Sequence, residues 1–347
     1  MSSPADLTIP AGAEALLRRV GVSALPPLVP LSGGMNNRVH RLDTPSGSFV
    51  LKQFFPVAVG ERDRFRAEKT FYDFVQSAPP SLAAPRALAW SESDRLGLFS
   101  WIEGRRLQPD EVDETAVEQA LGFYLELNRR RNLPAAQWLL DGAEACFTLQ
   151  GHLDCVERRV LRVERMPVES DVDRAALAFI QDRLLPAFME LRAGVSLAES
   201  EWREEIPAAA RAISPSDFGF HNALATAGGS LVFLDFEYAG WDDPAKFVCD
   251  FLCQPAVPIP ARLWPLCFRL LAPGQPGGVE PERVGLLLPF YRIKWCCILL
   301  NEFLPKGDER RRFALAKDSG ALGRKERQLA KARAAFEALR AAPRVSS

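Results

Sequence analysis

The sequence predicts an α+β chain in two lobes, a small antiparallel-sheet lobe carrying one helix in front and a larger, mainly helical lobe behind. Three observations predict it. The first hundred residues alternate short apolar runs with turn signals, as strands do. From Asp110 onward apolar residues recur at three and four spacing over long stretches, as in amphipathic helices. A chain of 347 residues also exceeds one ordinary domain, so two units or one bilobal unit are expected.

The front elements follow in order. Leu28-Val29 opens a first apolar run, Ser32-Gly33-Gly34 turns it, and Arg38 to Leu42 continues; Pro45-Ser46-Gly47 reverses the chain into Ser48 to Lys52. Arg62 to Gln76 carries Phe65, Phe71, Tyr72 and Val75 at helical spacing, and beyond Pro79-Pro80 strands return at Arg86 to Trp90 and Leu96 to Ile102. Behind them, helices are expected at Thr115 to Arg131, about Asp171 to Arg192, Pro281 to Phe303 and Lys325 to Ala342. One hairpin, Ala223 to Glu237, turns at Ala227-Gly228-Gly229-Ser230. The expected division is an N-lobe over 1–100, a hinge over 101–104 and a C-lobe over 105–347, with a ligand cleft at the junction.

Bulk properties exclude several functions. About half the residues are hydrophobic and a quarter charged, the balance of a globular protein, and a net charge of -1 supplies no general field for nucleic acid or an acidic membrane. The basic run Arg310 to Arg312 and the helix Lys325 to Arg340 lack interleaved aromatics, so they read as solvated or docking surfaces and no nucleic acid is expected. The opening residues lack a basic start followed by an apolar core, and no stretch reaches 18 uninterrupted apolar residues, so a cytoplasmic location without a membrane is expected. Seven cysteines suggest reduced thiols rather than a disulfide framework. Cys249, Cys253, Cys296 and Cys297 could gather around zinc, but they sit in the apolar runs FVCDFLC and WCCILL, where cysteine serves as a small core residue.

Chemistry concentrates in DFGFHNALATAGGSLVFLDFE. Asp217 stands five residues before Asn222, and the apolar strand Leu231 to Leu234 leads to Asp235, so three oxygen-bearing groups meet at one edge of a hairpin. One amide oxygen and one carboxylate suffice for magnesium beside a nucleotide, and a further carboxylate can position or deprotonate a hydroxyl. Individually, each residue could instead organise a turn or cap a strand.

In the front half, Lys52 ends a strand and shares a face with Val50, opposite Phe49 and Leu51. Glu68 lies three residues from Phe65 and Phe71 and four from Tyr72, inside the apolar stripe of its helix. An unpaired carboxylate there would cost several kcal/mol, and a Lys52–Glu68 ion pair removes that cost while aiming an ammonium at phosphate. The alternative is a Glu68 at the stripe's edge that reaches water. Gly33 and Gly34 permit a tight turn whose N–H groups can approach phosphate oxygens.

Together these segments resemble the aminoglycoside phosphotransferase and choline kinase-like family. SPSDFGFHNAL followed by LVFLDFEYAGWDDP is similar to its D-x-x-x-x-N loop, hydrophobic strand and metal-binding aspartate; Leu31 to Asn37 is similar to its S-G-G-x-x-N loop, and Phe99 to Gly104 to its hinge. The resemblance implies a protein-kinase-like fold and a small-molecule kinase that uses ATP and Mg2+ to phosphorylate a hydroxyl acceptor such as a sugar, amino sugar or amino alcohol. It implies Asp217 as catalytic base, Asn222 and Asp235 as magnesium ligands, Gly33, Gly34, Lys52 and Glu68 around the phosphates, and Ser100, Trp101 and Ile102 against adenine. Two departures stand out: Pro215 replaces the usual histidine two residues before the base, and the acidic residue after Asp243-Pro244 comes late, at Asp250. They leave a degenerate, non-catalytic nucleotide-binding or scaffold protein as the alternative.

Asp217-Phe218-Gly219 also spells the metal-binding tripeptide of protein kinases. That alignment requires an Asp-x-x-x-x-Asn upstream, yet no asparagine occurs between Asn132 and Asn222, and Gly240 to Pro244 leaves little room for an activation segment. For the acceptor, Arg292 and Lys294 point to an anion, Glu237 and Asp242 to a cation. His221 could reach phosphate or acceptor, or hold its own loop.

Overall fold

Residues 12–23, 25–31, 37–57, 60–305 and 321–341 are described by a computed structural model. Gly33, Gly34, the run Arg310 to Arg312 and Ala342 lie outside them.

The front lobe opens with a short helix, α1 (Ala13–Arg19), and a sheet of β1 (Leu28–Pro30), β2 (Arg38–Thr44), β3 (Gly47–Gln53), β4 (Ala87–Ser91) and β5 (Leu96–Ser100). Its order is β1-β2-β3-β5-β4 and every pairing is antiparallel. The sheet is covered on both sides because its strands are apolar on both. Leu42, Leu51, Leu96 and Leu98 pack under Ala13, Leu16 and Leu17 of α1. The helix α2 (Arg64–Val75), capped by the Asp63 side chain on Arg66 N, lays Phe71 and Tyr72 on the other side beside Phe99. Lys52 sits in the middle strand opposite Gly97, where a Cβ would come within 2.7 Å of the Trp90 ring, so that position admits no side chain without displacement.

Residues 101–104 lead to β6 (Arg105–Arg106), which pairs with β8 (Ala223–Ala225), itself paired with β9 (Leu231–Phe233). The hairpin expected over Ala223 to Glu237 therefore gains a third strand from the connection between lobes. A second pair, β7 (Ala212–Ser214) with β10 (Gly240–Asp242), was not legible because each strand has only three residues.

Helices form the rest: α3 (Glu114–Arg129), α4 (Leu149–Glu164), α5 (Asp171–Phe179), α6 (Leu185–Ala193), α7 (Glu199–Arg203), α8 (Pro244–Cys253), α9 (Trp264–Leu270), α10 (Pro281–Leu299) and α11 (Ala321–Ala341). The single helix expected from Asp171 to Arg192 is interrupted by a π-helical turn, Ile180–Leu184, just before Pro186. Proline lacks the N–H and crowds the preceding turn, and a wider turn accommodates both. With its 3₁₀ extension to Phe303, α10 is long and apolar enough to cross a membrane, yet Val284, Leu287, Tyr291, Ile293 and Cys296 are buried inside the lobe. The thiols of Cys249 and Cys296 donate to the carbonyls of Val284 and Ala332, as core residues. The two lobes share one core: Phe71 of α2 packs at a tilt on Phe236, ring centroids 4.6 Å apart, and Phe236 stacks on Phe123 of α3 at 5.7 Å.

Candidate active site

The site forms where β3 and α2 meet the end of the β8–β9 hairpin. Lys52 is buried, and its Nζ donates to Glu68 Oε2 at 2.6 Å and to Asp235 Oδ1 at 2.5 Å, with Glu237 Oε2 at 3.8 Å. The ion pair expected from the helix stripe therefore exists, and a second bond extends it across to the rear lobe. Burial opposes a charged Lys52, but Asp235, Glu68 and Glu237 outweigh it and push the ammonium pKa well up. Burial also pushes the Glu68 carboxyl up to about 7, against the pull of Lys52 and with help from the two other carboxylates.

Glu237 corrects a sequence reading. It does not face an acceptor: it is fully buried, it accepts from the Asn37 amide, and Arg64 stands 3.4 Å away. Asn37 also accepts from Phe55 N at 3.1 Å, so its one side chain is held within the front lobe and, through Glu237, to the rear lobe. Burial and then Asp235 raise the Glu237 pKa. Glu68, Asp235 and Glu237 place one carboxylate oxygen each within 4.8 Å of one another, the only such group of possible metal ligands among the described residues. Sequence reasoning gave Asn37 and Arg64 no role; the signal available was a carboxylate set between Phe236 and Tyr238.

Asp242 and Lys294 are likewise internal. Lys246 meets Asp242 at 2.5 Å, and Lys294 meets both Asp250 oxygens at 2.9 Å while Trp295 donates to one of them. The late acidic residue Asp250 is thus the partner of two buried lysines. Arg292 lies over the Trp264 ring.

The loop before β8 holds the remaining candidates. Asn222 Nδ2 donates to the Asp217 carbonyl at 2.9 Å, and Leu234 N donates to the Asn222 carbonyl at 2.8 Å, which sets Asn222 beside the residue preceding Asp235. With its nitrogen engaged, Asn222 offers an oxygen; Asp235, 41% exposed, keeps Oδ2 beyond its bond to Lys52. These are hard oxygen donors that fit magnesium. Asp235 has φ 65° and Ser216, beside Asp217, φ 62°. Non-glycine residues hold such angles where the surroundings dictate them, often at functional sites. Asp217 is 39% exposed, with His221 Nε2 3.2 Å from its Oδ1.

At the hinge, Ser100 pairs with Phe49 and bonds Arg86, and Trp101 N donates to Ser48. The backbone groups of Ile102 have no partner among the described residues. Lys52 thus joins the front sheet and α2 to the hairpin edge at Asp235.

No curated protein sequence matches the chain. Solved structures share its protein-kinase-like fold. Choline kinase LicA from Streptococcus pneumoniae aligns with 13% identity and a TM-score of 0.56, over 94% of this chain and 97% of that one. A thermostable mutant of aminoglycoside phosphotransferase APH(4)-Ia, in a complex with ADP and hygromycin B, aligns with 18% identity and a TM-score of 0.53, over 92% and 99%. An ethanolamine kinase of Plasmodium vivax aligns with 12% identity and a TM-score of 0.55, over 90% and 84%. The family model described as "Phosphotransferase enzyme family" matches residues 27–251, a span that runs from β1 through the catalytic-loop candidates to Asp250, and by that match the chain belongs to this family.

Proposed function

We propose that this chain moves the γ-phosphoryl group of ATP, with Mg2+, to a hydroxyl of a small molecule, in the class of sugars, amino sugars and amino alcohols. The observation that carries the reading is Lys52, one buried ammonium bonded at once to Glu68 of α2 and to Asp235 at the hairpin edge. A phosphotransferase needs such a cation between the lobes to meet nucleotide phosphates. Residues 1–100 serve as N-lobe, 101–104 as hinge and 105–347 as C-lobe. Ser100, Trp101 and Ile102 receive adenine, with Gly33 and Gly34 at the phosphates.

Asn222 and Asp235 hold magnesium, which when bound offsets phosphate charge. Asp217 accepts the proton of the acceptor hydroxyl as its oxygen bonds to phosphorus and ADP leaves. Glu68 keeps Lys52 aimed rather than touching substrate. The similar structures titled choline kinase, ethanolamine kinase and aminoglycoside phosphotransferase support an acceptor of this size. An ATP-consumption screen against sugars, amino sugars, choline-like alcohols and aminoglycosides, with product mass measured, tests it. The expected result is one added phosphoryl group on a hit. ATP binding with no turnover of any acceptor would favour a non-catalytic nucleotide-binding protein.

A further inference from the structure

The backbone around Asp217 is pinned from several sides. Asn222 holds its carbonyl, Phe218 N donates to Ser216, and Asn222 N donates to Gly219. Its carboxylate is held by one group. Among the described residues, the only hydrogen bond or ion pair to that carboxylate comes from His221, through Nε2 and Oδ1.

The other face of the imidazole explains which proton is where. An ionised carboxylate only accepts, so Nε2 must carry the hydrogen. His221 Nδ1 is buried without a hydrogen-bond partner among the described residues. A bare lone pair there costs less than a buried N–H on a charged ring. The ring also packs closely on the backbone: a Cβ at Gly219 would lie 3.1 Å from Nδ1 and 3.5 Å from Cε1, so a side chain there would push the imidazole by a few tenths of an ångström.

From this geometry we infer that His221 is a positioning residue for Asp217. As the neutral Nε2–H tautomer it fixes one carboxylate oxygen and leaves Oδ2 for the acceptor hydroxyl; with Nδ1 sealed, it provides no route for the proton onward. Its catalytic consequence rests on the phosphotransferase reading, whereas the contact does not.

The test separates the two. The full chain has three histidines, His40, His152 and His221, so long-range ¹H–¹⁵N spectra of histidine-labelled protein at pH 8 are readily assigned, with His221→Gln removing one ring. The expected spectrum shows His221 as the Nε2–H tautomer, with the Nε2 proton signal shifting or vanishing through solvent exchange in Asp217→Ala. An Nδ1–H tautomer, or no change in Asp217→Ala, overturns the proposal without reference to activity. With the acceptor found in the screen, His221→Leu should lower kcat about 10- to 100-fold and leave KM for ATP nearly unchanged, the scale of a misplaced reacting group. His221→Gln, which retains an N–H at similar reach, should recover most of that loss. Equal damage in both variants would mean that ring packing matters and not the donated bond. If no acceptor is phosphorylated by the unaltered chain, the functional reading fails and the spectra still decide the contact.

Discussion

Ser216 and Asp235 both occupy the left-handed region, where a side chain costs about 1–2 kcal/mol. Ser216 gains nothing visible in return, since its Oγ is buried without a hydrogen-bond partner among the described residues. Ser216→Gly removes the strain and the unpaired hydroxyl at the cost of greater unfolded-state entropy, so a net stabilisation of about 1 kcal/mol is expected in urea denaturation. Asp235 differs, because its carboxylate binds Lys52 and faces the cleft. The proposed roles separate by measurement: Asp217→Ala should lower turnover by about 10²- to 10⁴-fold with magnesium–ATP binding retained. Asp235→Ala should weaken metal-dependent nucleotide binding by about 10- to 100-fold, and an unchanged magnesium dependence would contradict a ligand role.

At the scale of elements, α2 shows how much periodicity can reveal. The stripe of Phe65, Phe71, Tyr72 and Val75 marked the helix to within two residues at its start and one at its end, and it placed Glu68 inward. Asp63 caps the helix and also meets Arg95 at 2.8 Å. Asp63→Ala should lower stability by about 1–2 kcal/mol, read as an earlier denaturant midpoint with an unchanged slope. Periodicity failed where helices are buried on every side. All residues from Pro244 to Leu252 of α8 are buried, Lys246 and Asp250 among them, and a segment buried on every face shows no apolar stripe that marks it as a helix. In α4 the stripe was disguised by His152 and Cys155, polar or small residues in core positions.

Across the whole molecule, the carboxylates gathered at Lys52 make stability depend on pH. Glu68 has a folded pKa of about 7, above its ordinary value. A raised carboxyl means that the folded chain holds the proton longer, so the associated stability is present below about pH 4.5 and is lost as pH rises to 7. Thermal unfolding of the ligand-free chain between those values should show this decline, and Glu68→Gln should flatten it. A decline of the same size in Glu68→Gln would place its origin elsewhere. The carboxylates crowd because Phe71 and Phe236 press α2 against the hairpin edge, so the shared core of the two lobes sets the electrostatics of the cleft.

The sequence by itself determined the two-lobed α+β order, the spacing of Asp217, Asn222 and Asp235, and an inward Glu68 beside Lys52, because periodicity and local turns are properties of neighbouring residues. Tertiary structure decided which of the other charges are internal. Glu237 and Asp242 looked like acceptor-facing acids and Lys294 like an anion receptor, yet each is buried against its own partner. Asn37 reaches Glu237 from 200 residues away, and Lys52 reaches Asp235 from 183. A charge is tolerated in the interior only where such a partner arrives, and that arrival is a property of the folded chain.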